Sequence, residues 1–303
     1  MNPSSPSPNI LLRRATWASV TVALLLIVGK MAAWLMTGSL SVMASLVDSL
    51  MDAAASTINL VAVRLSLNPA DSEHRFGHGK AEFLAGLAQA SFIAGSSFFL
   101  LIHAVERIRN PPPLNDARVG IIIMVLAIVI TLLLLAYQYR VIQITNSTAI
   151  RADALHYATD ILTNAGTIVA LVLARHGWPG LDPLFAMVIA GFIFYSACKI
   201  GYDATQMLMD RELPSEVREK IIRIARKPPQ VRGVHDVRTR QSGQTIMIQL
   251  HLELDDDIPL RRAHGVARAV EKEILRNWPE ADVIIHQDPV NISRKIGTTR
   301  FAD

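Results

Sequence analysis

The stretch SVMASLVDSLMDAAASTINLVAVRL, residues 41–65, determines how the rest of the chain is interpreted. It is long enough and apolar enough to cross a bilayer as one helix. Asp48 and Asp52 lie in its middle, four residues apart, so both project from the same face of that helix. A carboxylate at membrane depth is costly, and such residues usually face a cavity and carry function. The stretch therefore predicts a transmembrane helix that contributes to a functional polar site.

A second apolar stretch, STAIRADALHYATDILTNAGTIVALVLAR at residues 147–175, repeats the four-residue spacing with His156 and Asp160. Two carboxylates from one helix, with an imidazole and a carboxylate from another, are the ligands of a tetrahedral site for a divalent transition metal. Their combined charge exceeds that of a divalent ion, so metal binding must displace protons. We call Asp48, Asp52, His156 and Asp160 the transmembrane quartet.

The composition predicts a membrane protein with a soluble C-terminal part. The 303 residues are 51% hydrophobic and 18% charged, with apolar runs before about Asp203 and most charges after it. The single cysteine, Cys198, excludes an internal disulfide framework. The net charge of +4 forms no basic block, so nucleic acid is not predicted as a partner. Lys30 and Lys199, the basic residues well inside a span, lie toward span ends and cannot neutralise three central carboxylates.

The apolar runs predict six transmembrane helices within residues 15–209, after a disordered tail at residues 1–14. Lys30 lies late enough in the first span to snorkel toward the outer interface. Six spans place both termini on one side, and the Lys and Arg residues at the span ends favour the cytoplasm for that side by about two to one. The spans are expected at residues 16–36, 41–65, 81–108, 119–139, 147–175 and 183–202.

Residues 210–292 have the composition of a small soluble domain, and residues 293–303 are expected to form a flexible tail. Strict alternation in TIMIQLHLELD, residues 245–255, directs isoleucine and leucine to one face of a strand and His251 to the other. Ser215 is expected to cap the first helix of the domain. The order α-β-β-α-β, with helices at 215–227 and 260–277 and strands at 233–240, 245–255 and 282–286, predicts an α+β domain with helices on one face of a small sheet.

Two further groups of histidines and carboxylates lie outside the spans. Asp71, His74 and His78 share the loop NPADSEHRFGHGK, where a weaker metal site and a solvated polar loop are both open. In the C-terminal domain, strand ends could bring several imidazoles together, although scattered surface histidines are the alternative. That group consists of His235, His251, His264, His286 and Asp288.

Three carboxamides also lie inside predicted spans, namely Asn59, Gln89 and Asn164. Amide side chains in membranes commonly form hydrogen bonds across helices. We interpret these three as helix–helix contacts rather than as metal ligands.

With these residues in place, the sequence resembles the cation diffusion facilitator family, and within it the bacterial ferrous-iron and zinc efflux pumps. The matching segments run in order from about Ala15 to Val290: ASLVDSLMD, DSEHRFGHGKAE, RADALHYATD, HDVRTRQSG, IQLHLELD and VIIHQDPV. The resemblance implies a homodimeric, multi-pass protein of the bacterial inner membrane with cytoplasmic termini and a cytoplasmic ferredoxin-like domain. It implies proton-coupled antiport of zinc, with cadmium or iron(II) as alternative substrates, and no enzymatic activity.

The resemblance also implies a role for each group of residues. The transmembrane quartet would be the transport site, and Asp71, His74 and His78 would form a loop site. Lys80 and Asp210 would form a salt bridge between the membrane and cytoplasmic parts. The cytoplasmic site would use His235, His251, His264, His286 and Asp288, with Gln287 supporting the ligands.

Two rival functions fit parts of the sequence. An intramembrane metal-dependent hydrolase needs an open coordination position and a general base, but four protein ligands close the site and no H-E-x-x-H motif is present. A metal sensor without transport accounts for the C-terminal histidines but not for the transmembrane quartet. Because the chain carries no Walker loop, an ion gradient is expected to supply the energy of transport.

Overall fold

The structure is a computed structural model that describes residues 7–37, 40–109, 118–175 and 182–290. It divides the chain into two compact units, Met1–Thr205 and Gln206–Asp303. The division lies four residues before the boundary predicted at 209/210. Each unit is described by itself below.

Long helices build the described part of the first unit. Each has 27 to 30 residues, which gives a length of about 40–45 Å at 1.5 Å per residue. Such a length exceeds the roughly 30 Å hydrocarbon core of a bilayer. The helices are α1 Pro8–Thr37, α2 Leu40–Ser66, α3 Ala81–Arg109, α4 Arg118–Thr145, α5 Thr148–Arg175 and α6 Asp182–Leu208.

Within the described residues, three segments are long and apolar enough to cross a membrane: Pro8–Met36, Ala81–Glu106 and Met124–Thr145. Large apolar side chains such as Leu133 are exposed on these segments, as expected for helices that face lipid. The helices that carry the predicted metal ligands, α2 and α5, are not among these three segments of the described residues. The prediction of six spans is therefore met by composition in three helices and stays a prediction for α2, α5 and α6.

Two expectations about the start of the chain are wrong. The helix α1 begins at Pro8, so the tail predicted at residues 1–14 is too long; residues 1–6 lie outside the described part. Leu11 and Leu12 hold this extension because they pack into an apolar cluster with Val63 of α2. Lys30 does not snorkel either: it is 9% exposed, and its Nζ donates a hydrogen bond of 2.6 Å to Ser49 Oγ.

The second unit has the predicted order of helices and strands. A three-stranded sheet has the order β1-β2-β3, with β1 antiparallel and β3 parallel to the central strand. Buried side chains of both helices and of the sheet form its core, among them Ile221, Ile248, Leu250 and Ile274. The elements are α7 Ser215–Ala225, β1 Gly233–Ser242, β2 Thr245–Leu254, α8 Leu260–Asn277 and β3 Asp282–Pro289.

The predicted details of this unit need two corrections. Ser215 does not cap α7, because Pro214 occupies the N-cap position and no side chain caps the helix. Strand β3 continues to Pro289, three residues beyond its predicted end. His286, Gln287 and Asp288 therefore lie inside a strand, where hydrogen bonding to β2 fixes their positions.

Candidate metal sites

The first candidate site is assembled from α2 and α5. His156 Nε2 lies 2.9 Å from Asp52 Oδ1, and one oxygen of Asp160 lies within 4.8 Å of both groups. Asp160 follows His156 by one helical turn, so the two side chains share a face of α5. His156 is 7% exposed, while Asp52 and Asp160 are half-buried.

Three of the four members of the transmembrane quartet thus come together as the sequence predicts. Asp48 lies in α2, but its side chain is outside the part of the chain that the structure describes. One imidazole and two carboxylates, drawn from two helices, suit a divalent transition metal and leave a coordination position for a fourth ligand.

Sequence reasoning missed a further carboxylate, Asp153, which is fully buried three residues before His156. Ser19 Oγ and Gln138 Nε2 each donate to Asp153 Oδ2 at 2.6 Å, and Gln89 Nε2 donates to Oδ1 at 3.2 Å. These donors lie on α1, α4 and α3, so Asp153 ties three helices to α5. The signal was present in RADALHYATD, where Asp153 precedes Asp160 by seven residues and therefore shares its helix face.

Tyr157 extends this connection on the next position of α5. Its hydroxyl donates to the carbonyl oxygen of Ser19 at 3.1 Å and lies 3.0 Å from Ser56 Oγ. Tyr157 is 1% exposed and adjoins His156, whose ring centroid is 5.7 Å away. The buried bonds of Asp153 and Tyr157 fix the rotation of α5, and with it the direction of the His156 side chain.

The loop between α2 and α3 brings Asp71, His74 and His78 together. His78 Nε2 lies 3.3 Å from Asp71 Oδ2, and His74 Nδ1 lies 3.7 Å from Asp71 Oδ1. The backbone N–H of His74 donates to Asp71 Oδ1 at 2.6 Å, and this bond is the main reason that the pKa of Asp71 is lowered. The carboxylate is thereby held ionised beside two imidazoles, and metal binding there stays a prediction.

The second unit aligns three histidines side by side across its sheet. His235 of β1 pairs in register with His251 of β2, and His251 pairs with His286 of β3. Directly opposed strand residues have side chains about 5 Å apart on one face. Ring centroids are 5.2 Å apart for the first pair and 4.8 Å for the second.

Asp288 lies at the centre of this row because it follows His286 by two residues and so shares its face of β3. Its Oδ2 is 2.8 Å from His251 Nδ1 and 3.2 Å from His235 Nε2. Its Oδ1 is 3.0 Å from His286 Nε2. Three imidazoles around one carboxylate provide nitrogen and oxygen ligands for a borderline divalent metal.

Three other residues bear on this row. Glu253, which sequence reasoning did not select, has Oε1 3.2 Å from His235 Nδ1. It is opposite Gly233, and the end of its side chain occupies the space that a Cβ at Gly233 would take. The ligand atoms that meet within 4.8 Å are those of His235, His251 and Asp288. His286 contacts Asp288 from outside this group and is largely exposed, and His264 lies exposed on α8. Strand alternation directs Gln287 to the opposite face of β3, beside buried Leu252.

The predicted salt bridge between Lys80 and Asp210 would join the two units, and it stays a prediction. Within the second unit, Arg240 Nη1 donates to Asp210 Oδ2 at 3.0 Å. Asp210 also has a left-handed backbone, with φ of 62°, directly after the last helix of the membrane part. This carboxylate therefore lies in the turn that follows α6, near the start of the second unit.

Comparison with known proteins gives a separate family match for each of the two units. Residues 16–209 match the family described as Cation efflux transmembrane domain, and residues 213–290 match the Cation efflux protein, cytoplasmic domain. The cation-efflux pump FieF of Citrobacter koseri is 50% identical over 287 residues, which is 95% of this chain and 96% of that protein. FieF of Klebsiella pneumoniae is 50% identical over 282 residues, 93% of this chain and 94% of its own.

A solved structure of CzrB in its zinc form is 28% identical and covers 27% of this chain and 96% of its own, with a TM-score of 0.26. The two family matches together cover most of the chain, in the order of the two structural units. The cation efflux family consists of membrane transporters rather than enzymes, and its cytoplasmic domain is a dimerisation domain. The chain therefore belongs to the cation efflux, or cation diffusion facilitator, family.

Proposed function

We propose that this protein exports zinc across the bacterial inner membrane in exchange for protons, with cadmium and iron(II) as alternative substrates. The observation that supports this most is the contact between Asp52 and His156, with Asp160 beside them. These ligands come from two helices of a membrane unit, so a change in helix packing can alter both the affinity for the ion and the side from which it is reached.

The same contact provides the coupling to protons. A hydrogen bond of 2.9 Å between His156 Nε2 and Asp52 Oδ1 requires a proton between the two atoms. A cation that uses both atoms as ligands must displace that proton, since imidazole and carboxylate bind metal only when deprotonated. Protons arriving on the other side of the membrane compete the cation off, and the protonated site then returns.

The proton gradient drives such an exchange, and the membrane potential adds to it only when more than two protons enter for each divalent cation that leaves. Each positive charge that moves down the potential yields about 2.3 kcal/mol per 100 mV. Alternating access needs the ligands to face one side at a time, which a rocking of helix groups in the membrane unit achieves. In this proposal all six helices cross the membrane and both termini lie in the cytoplasm.

The other two groups have supporting roles in the proposal. Asp71, His74 and His78 bind a cation at the loop end of α2 and α3. The histidine row with Asp288 in the ferredoxin-like domain binds zinc near the interface of a homodimer. The Lys80–Asp210 pair links the two units so that metal binding in one affects the other.

The variant Asp52→Ala tests the proposed transport site. It leaves an imidazole and at most two carboxylates of the quartet, so zinc is held too weakly for exchange against protons. Purified protein reconstituted in vesicles should take up zinc under an imposed pH gradient, whereas Asp52→Ala should show only background uptake. Asp257→Ala, which removes an exposed carboxylate of the cytoplasmic unit, is the matched control. Wild-type rates in Asp52→Ala would mean that the site lies elsewhere.

A further inference from the structure

A cavity of about 230 Å³ lies between α2, α3 and α5, and the roles given above do not account for it. Its walls are almost wholly apolar, formed by alanines together with Met51, Ile58 and Phe92. These three side chains are about half exposed, so the cavity opens to the surface of the first unit. His156 is also part of the wall, so the cavity extends to the side chain that pairs with Asp52. We call this space the α2–α3 cavity.

Asn59 is the part of the cavity wall that apolar packing does not explain. Its side chain is 2% exposed, and neither its carboxamide oxygen nor its nitrogen has a hydrogen-bond partner within the described residues. Gln89 of α3 also lines the cavity; its nitrogen donates to Asp153, while its oxygen has no partner there. The expectation that amides bond from helix to helix is thus confirmed for Gln89, whereas among the described residues Asn59 forms no such bond.

A buried carboxamide without a partner destabilises a protein, because it gives up hydrogen bonds to water and forms none in exchange. Leucine at this position would be compatible with the apolar walls, so the amide indicates that the cavity holds a polar occupant. Lipid chains can neither donate nor accept a hydrogen bond, whereas water does both. The cavity is also much larger than the roughly 10–15 Å³ that one water molecule requires.

The cavity lies between the metal site and the loop end of the helices. Asn59 follows Asp52 by seven residues on α2, which is two turns, or about 10 Å, toward the loop at residues 67–80. Gln89 lies eight residues after the start of α3 at Ala81. A cation that travels from the loop end to Asp52 and His156 therefore has this space beside its direct path.

We propose that the α2–α3 cavity is a hydrated vestibule in which Asn59 and Gln89 hold an incoming divalent cation through its water shell before it reaches Asp52 and His156. This inference rests on the proposed transport function and adds a second position to it. Carboxamide oxygens are neutral and accept hydrogen bonds from metal-bound water, so they position the ion without the strong attraction of a carboxylate. The ion is then released to the charged site.

The variant Asn59→Leu tests the vestibule through two measurements that should move in opposite directions. The unfolding temperature of the full-length protein in detergent should stay equal or rise, because an unpartnered buried amide is removed. Zinc uptake at low zinc should nevertheless fall by about three- to tenfold, through a higher KM, as expected for the loss of a hydrogen-bonding group. Thr57→Val, which removes an exposed hydroxyl from the same helix, should change neither.

The variant Asn59→Asp should have the opposite effect on binding. Its carboxylate adds a charged ligand next to the path of the cation, so the KM for zinc should fall. Maximal uptake should fall as well, because the ion leaves the vestibule more slowly. A KM that rises in both Asn59 variants would point to damage of the helix packing and would contradict the proposal.

The outcomes distinguish this inference from the proposed function. If wild-type protein transports zinc and Asn59→Leu does so with unchanged KM, the vestibule is wrong and the transport site stands. If wild-type protein transports no zinc, the proposed function fails. The vestibule is then tested by a measurement that needs no transport, namely the hydration of the cavity. Hydroxyl radicals should then oxidise Met51 of the cavity wall more in wild type than in Asn59→Leu, and equal oxidation would overturn the vestibule.

Discussion

At the scale of single residues, His156 combines three properties that a coupled site needs. It is buried, it shares a hydrogen bond with Asp52, and Asp160 lies beside it on the same helix face. The direction of the His156 side chain is fixed by Asp153 and Tyr157 on the same helix, whose hydrogen bonds reach α1, α3 and α4. A metal ligand oriented in this way discriminates among ions by donor type and geometry rather than by charge alone.

The variant His156→Asp should change selectivity among metals. It replaces a borderline nitrogen donor with a hard oxygen donor, which disfavours zinc relative to manganese. Replacing a residue that only supports a metal ligand typically lowers metal affinity about 10- to 100-fold. Replacing the ligand itself should lower the ratio of zinc to manganese uptake by at least as much. Competition between the two ions in reconstituted vesicles measures this ratio. An unchanged ratio would show that His156 is not a ligand.

The residue scale also shows how far the sequence could predict the site. Asp52, His156 and Asp160 were predictable because an ionisable side chain in an apolar run is conspicuous and because i, i+4 spacing sets a shared face. Asp153 is equally ionisable, yet its neutral partners Ser19, Gln89 and Gln138 come from three distant segments. Only tertiary packing reveals that Asp153 accepts hydrogen bonds from three helices and that Asn59 has no partner among the residues that the structure describes.

At the scale of elements, strand register creates the cytoplasmic site. The sequence indicated histidines near strand ends, but the structure places them in lateral register across three strands, with a β-bulge between His235 and Arg238. Asp236 has a φ of 46° at this bulge. Such a backbone is uncommon outside glycine and is not predictable from alternation, and one residue of slippage would turn a histidine to the other face. For this reason the sequence alone could not decide between a metal site and scattered surface histidines.

An ion pair between Arg232 and Asp255 lies at the end of the paired strands β1 and β2, next to this site. Arg232 donates from Nε and Nη2 to the two oxygens of Asp255 at 2.8 and 2.9 Å, and it holds the pKa of Asp255 below its ordinary value of 3.8. A lowered carboxyl pKa stabilises the folded state above the ordinary value, and this stability is lost as pH falls through the lowered value. Both side chains are exposed, so salt should screen the pair.

The variant Asp255→Asn should therefore be less stable than wild type at neutral pH by a small amount that high salt reduces. The difference should shrink below pH 3.8 and vanish when the wild-type carboxyl is also protonated. Thermal unfolding of the full-length protein between acid and neutral pH measures it, with Asp257→Asn as the control. A difference that grows on acidification would contradict the assigned pKa direction.

At the scale of the whole molecule, the two units differ in where they place their apolar side chains. The membrane unit exposes large apolar side chains and gathers the ligands of its candidate metal site on α2 and α5. The cytoplasmic unit buries its apolar side chains between two helices and one sheet, and its metal ligands lie on a separate face. Bound metal reduces repulsion among clustered charged groups, so it can favour one arrangement of paired domains only by its differential affinity for that arrangement.

The double variant His251→Ala with Asp288→Ala should retain transport but lose its zinc-dependent domain movement. A spin label at exposed Lys272, introduced as Lys272→Cys in a Cys198→Ser background, reports the distance between the domains of a dimer. Zinc should shorten this distance in the wild type and not in the double variant, with Glu280→Ala as the control. If the double variant folds normally and transports no zinc, the cluster is part of the transport path rather than a regulator.

The central claim is that zinc and protons compete for the contact between Asp52 and His156. Zinc added to reconstituted vesicles without an imposed pH gradient should therefore drive protons in the opposite direction. A pH dye and a zinc dye in the same vesicles record both ions at once. The account predicts that proton and zinc movements begin together and that both are absent in Asp52→Ala. Zinc entry with no proton counterflow, in vesicles where potassium and valinomycin hold the membrane potential at zero, would contradict it.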